Sequence, residues 1–205
     1  MQSMNPSEMT SAQMGKISDL LTAGLRKAGL QSEPAQVVIE TQGASLTDEL
    51  VEVIRKRVEG QSNLIIRRVR VNRNRTPKQV IDATGRNKYV TDSVVDAMPH
   101  GEGEDVEVLF FKPDLSKRNG FISDADLDKE YELRGLKPAD PYSVSAVNEA
   151  DPAFADDKPH GTHWKDSSDK WCFATFLRWR GARGVGVSRH DYVWYGGWWF
   201  AGLRK

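Results

Sequence analysis

The side chains best equipped for chemistry in this chain are four histidines, one cysteine and local clusters of carboxylates and arginines. His160 and His163 lie with Asp156, Asp157 and Asp166 inside a window of eleven residues. That density suits metal ligation, or a hydrolase or transferase built on His160, His163 and Asp166. The H-x-x-H spacing lacks the helix of a metalloprotease, because Pro159 precedes it and Gly161 interrupts it. The acid spacing matches no EF-hand loop. The stretch 151–163 reads as a long solvated polar loop, with no metal and no cofactor expected. Cys172, between Trp171 and Phe173, reads as a small hydrophobe packed on a core strand. A single cysteine also excludes a disulfide framework and any multi-cysteine metal site. No G-x-S-x-G, S-x-x-K or phosphate-loop motif occurs. The chain reads as a non-enzyme.

A second kind of chemistry is electrostatic. Net charge is zero, with 29 Lys+Arg against 29 Asp+Glu in 205 residues. The sum conceals a polarised chain. Residues 51–90 hold eleven basic and three acidic side chains, residues 101–160 seven and fifteen, and residues 161–205 eight and three. The run 64–75, LIIRRVRVNRNR, brings Arg67, Arg68, Arg70, Arg73 and Arg75 together, the footprint of a nucleic-acid-binding strand. Stacking aromatics would be needed on the same surface, and only Tyr89 is near in sequence. Pairing of this strand with the acidic 101–160 region is the simpler reading. A nucleic-acid-binding module on 64–75 is kept as the alternative function.

The elements that must position these groups follow from periodicity. Ile17, Leu20, Leu21 and Leu25 form one helical face ending at Gly29, and Ser32 and Pro34 open a short helical run at Val37–Ile39. A further helix starts at Ser45 or Thr47 and carries Leu46, Leu50, Val53, Ile54 and Val58 to Gly60. These apolar stripes need cover, either from the main domain or from self-association into a homo-oligomer. Beyond 64 the pattern mixes strands (64–75, 106–111, 171–179, 183–190, 198–205) with short capped helices after Thr76, Thr91, Ser123 and Asp140. On 183–190 the alternation sets Val185, Val187 and Arg189 against Gly184, Gly186, Ser188 and His190. No apolar stretch reaches the roughly 18 residues of a membrane span. The N-terminal stretch lacks a basic n-region and an apolar core, so a cytoplasmic start is expected by default, with virion or cell-surface display left open.

All six tryptophans fall at 164 or later. In FLRWRGARGVGVSRHDYVWYGGWWFAG (176–202), structurally demanding residues include Trp179, Trp194, Trp198 and Trp199. Interleaved with them are Leu177, Arg180, Gly184, Gly186, Ser188, His190, Tyr192, Val193, Tyr195, Gly196 and Gly197. Two glycines on one strand face pack nothing. Tyr and Gly in loops supply adaptable contact area, as in antibody paratopes.

This tail resembles the variable region of proteins diversified by diversity-generating retroelements, which carry it near the C terminus of a C-type lectin-like fold. In that family adenines of a template are randomised during reverse transcription. The resulting codons exclude Trp, Met, Lys, Gln and Glu, and all eleven interleaved residues belong to the permitted set. The resemblance covers about 160–205. It implies an α+β chain with a helical N-terminal region (1–60) and a C-type lectin-like ligand-binding domain (64–205) whose variable segment is about 177–197. It implies a non-enzymatic binder of a protein or surface ligand. Tyr192, Tyr195, His190, Arg180 and Leu177 would be its anchors, and Trp179, Trp194, Trp198 and Trp199 its fixed scaffold. The lectin disulfides and the calcium-lectin sugar triplets E-P-N and Q-P-D are absent, so neither calcium nor sugar is implied.

Overall fold

The computed structural model describes residues 9–116, 118–190 and 193–205. The chain divides into two units, one ending at Gln61 and one spanning Ser62–Lys205. The first holds α1 (Ser11–Ala28) and α2 (Ser32–Glu59). Thr10 caps α1 through a reciprocal pair with Gln13, and Gly29 ends it in the left-handed conformation. The sequence suggests two short helices across 32–60, but α2 is continuous through Gly43. An interior glycine costs a helix only about 1 kcal/mol, less than breaking and recapping it would. No residue of α1 or α2 is buried.

The second unit is α+β. Its elements are β1 (Leu64–Arg70), α3 (Pro77–Ala83), β2 (Asn87–Val90), α4 (Asp92–Val95), β3 (Asp105–Phe111), β4 (Phe121–Ile122), α5 (Asp124–Leu133), β5 (Leu136–Pro138), α6 (Pro141–Ala150), α7 (Phe154–Asp157), β6 (His160–Lys165), β7 (Trp171–Trp179), β8 (Ala182–Arg189), β9 (Trp194–Tyr195) and β10 (Trp199–Arg204). One mixed sheet runs β1-β3-β10-β6-β7-β8-β2, with β5 also paired to β10, while β4 and β9 form a separate ribbon. The pairs β10–β6 and β2–β8 are parallel. Strand alternation feeds two cores. From β3, Val108 and Phe110 enter a cluster with Val144, Val147, Phe154 and Phe176, whereas Leu109 and Phe111 join Leu127, Tyr131, Trp194 and Phe200. Both faces of the central sheet are therefore covered, which explains its nearly continuous apolar strands.

Two expectations are corrected here. The stretch 151–163 is not a loop: it contains α7 and most of β6, with His160 and His163 in the interior. The strand β2 is absent from the sequence reading, because Asn87-Lys88-Tyr89-Val90 is short and polar and is a strand only through its pairing with β8.

Candidate ligand-binding site

A cleft of about 600 Å³ opens on the face formed by β7, β8 and β2. Its floor follows from register. Phe173 pairs with Ser188, Thr175 with Gly186 and Leu177 with Gly184, and Gly186 pairs in turn with Tyr89 of β2. Because side chains alternate, these residues share the face opposite Val185 and Val187, which lie in the core. Val193, Trp194, Tyr195 and Trp198 add a wall, and Trp179, Arg189 and His190 complete the lining. The walls are largely aromatic. Tyr89 and Trp179 meet edge to face at 6.0 Å, and Trp194 packs on Trp198 at 5.8 Å and on Phe173 at 5.9 Å.

Beneath the wall lies Asp124, a buried carboxylate on the first turn of α5. It accepts from His163 Nδ1 at 2.7 Å, from His190 Nδ1 at 2.5 Å and from Trp194 Nε1 at 2.8 Å. Burial alone would raise its pKa, but the three donors outweigh that and hold the carboxyl well below the usual range. Burial pushes His163 the other way, towards neutrality. Asp124 and Asp128, the latter with an oxygen 3.0 Å from Nε2, overcome this and keep the imidazole above its ordinary value. His163 also stacks on Trp171 at 4.7 Å. One carboxylate thus ties α5, β6, β9 and the end of β8 together directly behind the cleft.

Three other polar side chains of the cleft are engaged as well. Ser188 Oγ lies 3.0 Å from Thr91 Oγ1, Arg189 pairs with Asp166 at 3.1 Å, and Thr175 Oγ1 lies 3.4 Å from the Gly186 carbonyl oxygen. The surface offered to a ligand is therefore chiefly aromatic and aliphatic.

Of the eleven interleaved positions, Leu177, Gly186, Ser188, His190, Val193 and Tyr195 line the cleft. Tyr192 lies outside the described residues. Arg180 is in the β7–β8 turn at φ 51°, its guanidinium 5.1 Å from the Trp179 ring. Gly196 donates to the Gly120 carbonyl at 2.9 Å, and Gly197 sits beside it at φ 107°. Three placements differ from expectation. Trp179, expected in the packed frame, is 54% exposed at the end of its strand. Trp194 and Trp199 are buried and Trp198 half-buried. Gly184 and Gly186, expected on an open surface, are buried because β2 lies alongside β8. A Cβ at 184 would come 3.2 Å from the Tyr89 ring, and one at 186 only 2.8 Å from Thr175 Oγ1. His190, expected as a free contact, is held by Asp124. Sequence reasoning missed Tyr89, Phe173, Thr175 and Asp124. Phe173 and Thr175 were legible from the β7 alternation, but Tyr89 and Asp124 arrive by tertiary pairing.

The other candidate chemistry disperses. His160 donates from Nδ1 to the Lys158 carbonyl and receives the Asn148 amide at Nε2. Burial lowers its pKa to about 3, so the ring is neutral. Asp156 pairs with Arg178 and Arg183. Among the described residues no three His, Cys, Asp or Glu side chains are grouped to hold a metal. Cys172 is buried, and burial pushes its thiol up. In the basic run, Arg68 meets Glu107, Arg70 meets Glu104, Arg73 meets Asp140 and Arg75 meets Glu149, while Arg67 lies 3.8 Å from Asp151 and stacks on Phe154. The strand's cations face carboxylates of the same chain. Among the described residues, no helix is long and apolar enough to cross a membrane. No family model, curated protein or solved structure matches the chain.

Proposed function

We infer that this protein is a ligand-binding protein of the kind diversified by a retroelement, with a C-type lectin-like domain whose C-terminal surface positions vary between copies. The observation that carries this reading is the cleft. Six positions singled out for residue type and spacing, scattered over 177–195, line one concavity together with Trp194 and Trp198. Alternation on paired strands is what makes such a design workable. Every second residue faces the ligand and the residues between them hold the core, so the binding surface can change without rebuilding the fold. Affinity in such a site rests on a few large anchors, and aromatic Tyr195 and aliphatic Leu177 fill that role here. A protein partner is favoured over a small polar ligand, because the cleft is lined chiefly by aromatic and aliphatic side chains.

The experiment is deep sequencing of the 3′ end of the gene in its source population. Variation is expected to concentrate at 177, 180, 184, 186, 188, 190, 192, 193 and 195–197, with Trp194, Trp198 and Trp199 fixed. At 184 and 186 the accepted residues should be skewed towards small ones, given Tyr89 and Thr175. Variation spread evenly along the gene overturns the reading. Nucleic-acid binding through 64–75 has less support, since its arginines face internal carboxylates.

A further inference from the structure

The first unit presents an unusual surface. Of eighteen large apolar side chains exposed among the described residues, thirteen lie at or before Val58. Helices of 18 and 28 residues without one buried side chain have little to hold them by packing, and helices in water draw most of their stability from packing. The apolar residues of α2 are also ordered. Ile39, Leu46 and Val53 recur every seven residues and are 60%, 39% and 57% exposed. A seven-residue step drifts only about 20° around a helix, so the three form one seam along its length.

We propose that α2 pairs antiparallel with α2 of a second copy of this chain, making the protein a homodimer through its N-terminal unit. The seam is symmetric about its middle residue. A two-fold axis through Leu46 sets Leu46 against its own copy and Ile39 of each chain against Val53 of the other, the self-complementarity an isologous interface requires. Charge fixes the direction. Between Ser32 and Glu52, α2 carries Glu33, Glu40, Asp48, Glu49 and Glu52 and no Lys or Arg, whereas Arg55, Lys56 and Arg57 follow consecutively at its end. Parallel pairing would stack the three cations on three cations. Antiparallel pairing separates them and sets each trio beside residues 35–37 of the other chain, between Glu33 and Glu40. An apolar groove of about 550 Å³ at the α1–α2 junction, lined by Leu25, Leu30 and Val38, takes in Ile39 and Leu46 of this seam.

The test uses the full chain. Light scattering on the eluting protein should give twice the chain mass, and Leu46→Lys should halve it while Leu46→Met leaves it unchanged. Direction is read by mixing Ala35→Cys protein with Arg57→Cys protein under mild oxidation; the native Cys172 is buried. The disulfide expected joins position 35 of one chain to position 57 of the other. A monomeric wild type at every concentration, a Leu46→Lys variant that stays dimeric, or a predominance of 35–35 or 57–57 links overturns the proposal.

Discussion

The two units of this chain solve the same problem in opposite ways. Residues 62–205 gather most of their large apolar side chains into two cores on either side of one sheet. In the first unit, α1 and α2 bury none of theirs. Amphipathic periodicity is present in both, so periodicity alone does not create an interior. A sheet lends each strand two neighbours and two faces, and the short helices α3, α5 and α6 need only dock on it. The apolar stripes of α1 and α2 stay exposed instead. The units also differ in how far they tolerate substitution, and the six tryptophans separate them experimentally. All six lie at 164 or later, so tryptophan fluorescence reports the second unit alone, while far-ultraviolet dichroism also sees α1 and α2.

The largest contrast is expected at Asp124. Replacing it with alanine leaves two imidazoles and an indole N–H without their acceptor and should destabilise the second unit by about 3–5 kcal/mol. Denaturant unfolding followed by fluorescence measures this; a loss under about 1 kcal/mol would show that the carboxylate is not the hub of that wall. Phe176→Ala, at the middle of the core, should cost a similar amount of about 3–5 kcal/mol. The matching truncation Val51→Ala on exposed α2 should stay within about 0.5 kcal/mol when unfolding is followed by far-ultraviolet dichroism. Equal losses at the two sites would erase the distinction between the units.

Acid should act on the second unit first. His160 is neutral in the fold down to about pH 3 but takes up a proton near 6.5 when unfolded, so the unfolded state binds more protons between those values. Stability should fall as pH drops below about 6.5, and more steeply below about 4, where Asp124 in the unfolded chain becomes protonated. His163 works in the opposite sense: its raised pKa contributes stability that is complete at low pH and fades as pH rises through that value. Denaturant midpoints across this range check the balance. A fluorescence-detected stability that does not fall between pH 6.5 and 4 would mean that His160 is not held neutral by the fold, because His163 is protonated in both states over that range. The smallest effect is expected at the β7–β8 turn, where Arg180 occupies a left-handed conformation. Arg180→Gly should stabilise by under about 1 kcal/mol, because relief of the backbone strain slightly exceeds the added chain entropy.

Much of this arrangement was legible in the residues themselves. The α+β composition, the alternation of β7 and β8, the caps at Thr76, Ser123 and Asp140, and the stop of α1 at Gly29 are local effects, written within a few residues of where they act. The grouping of Leu177, Gly186 and Ser188 on one surface followed from a period of two and a short turn. What the residues did not disclose depends on partners far away in the chain. His160 and His163 looked like residues of a solvated polar loop until β6 carried them into the interior, where Asn148 fixes one and Asp124 the other. The acidic 101–160 region was the expected partner of the arginines of 64–75, but which carboxylate meets which arginine is set by β3, α6 and the segments flanking them. Gly184 and Gly186 looked open until β2, nearly a hundred residues earlier in the chain, lay down beside them. Local propensity sets which elements form, whereas burial, ion pairing and pKa are set by what a side chain touches, and contacts of that range belong to the tertiary structure alone.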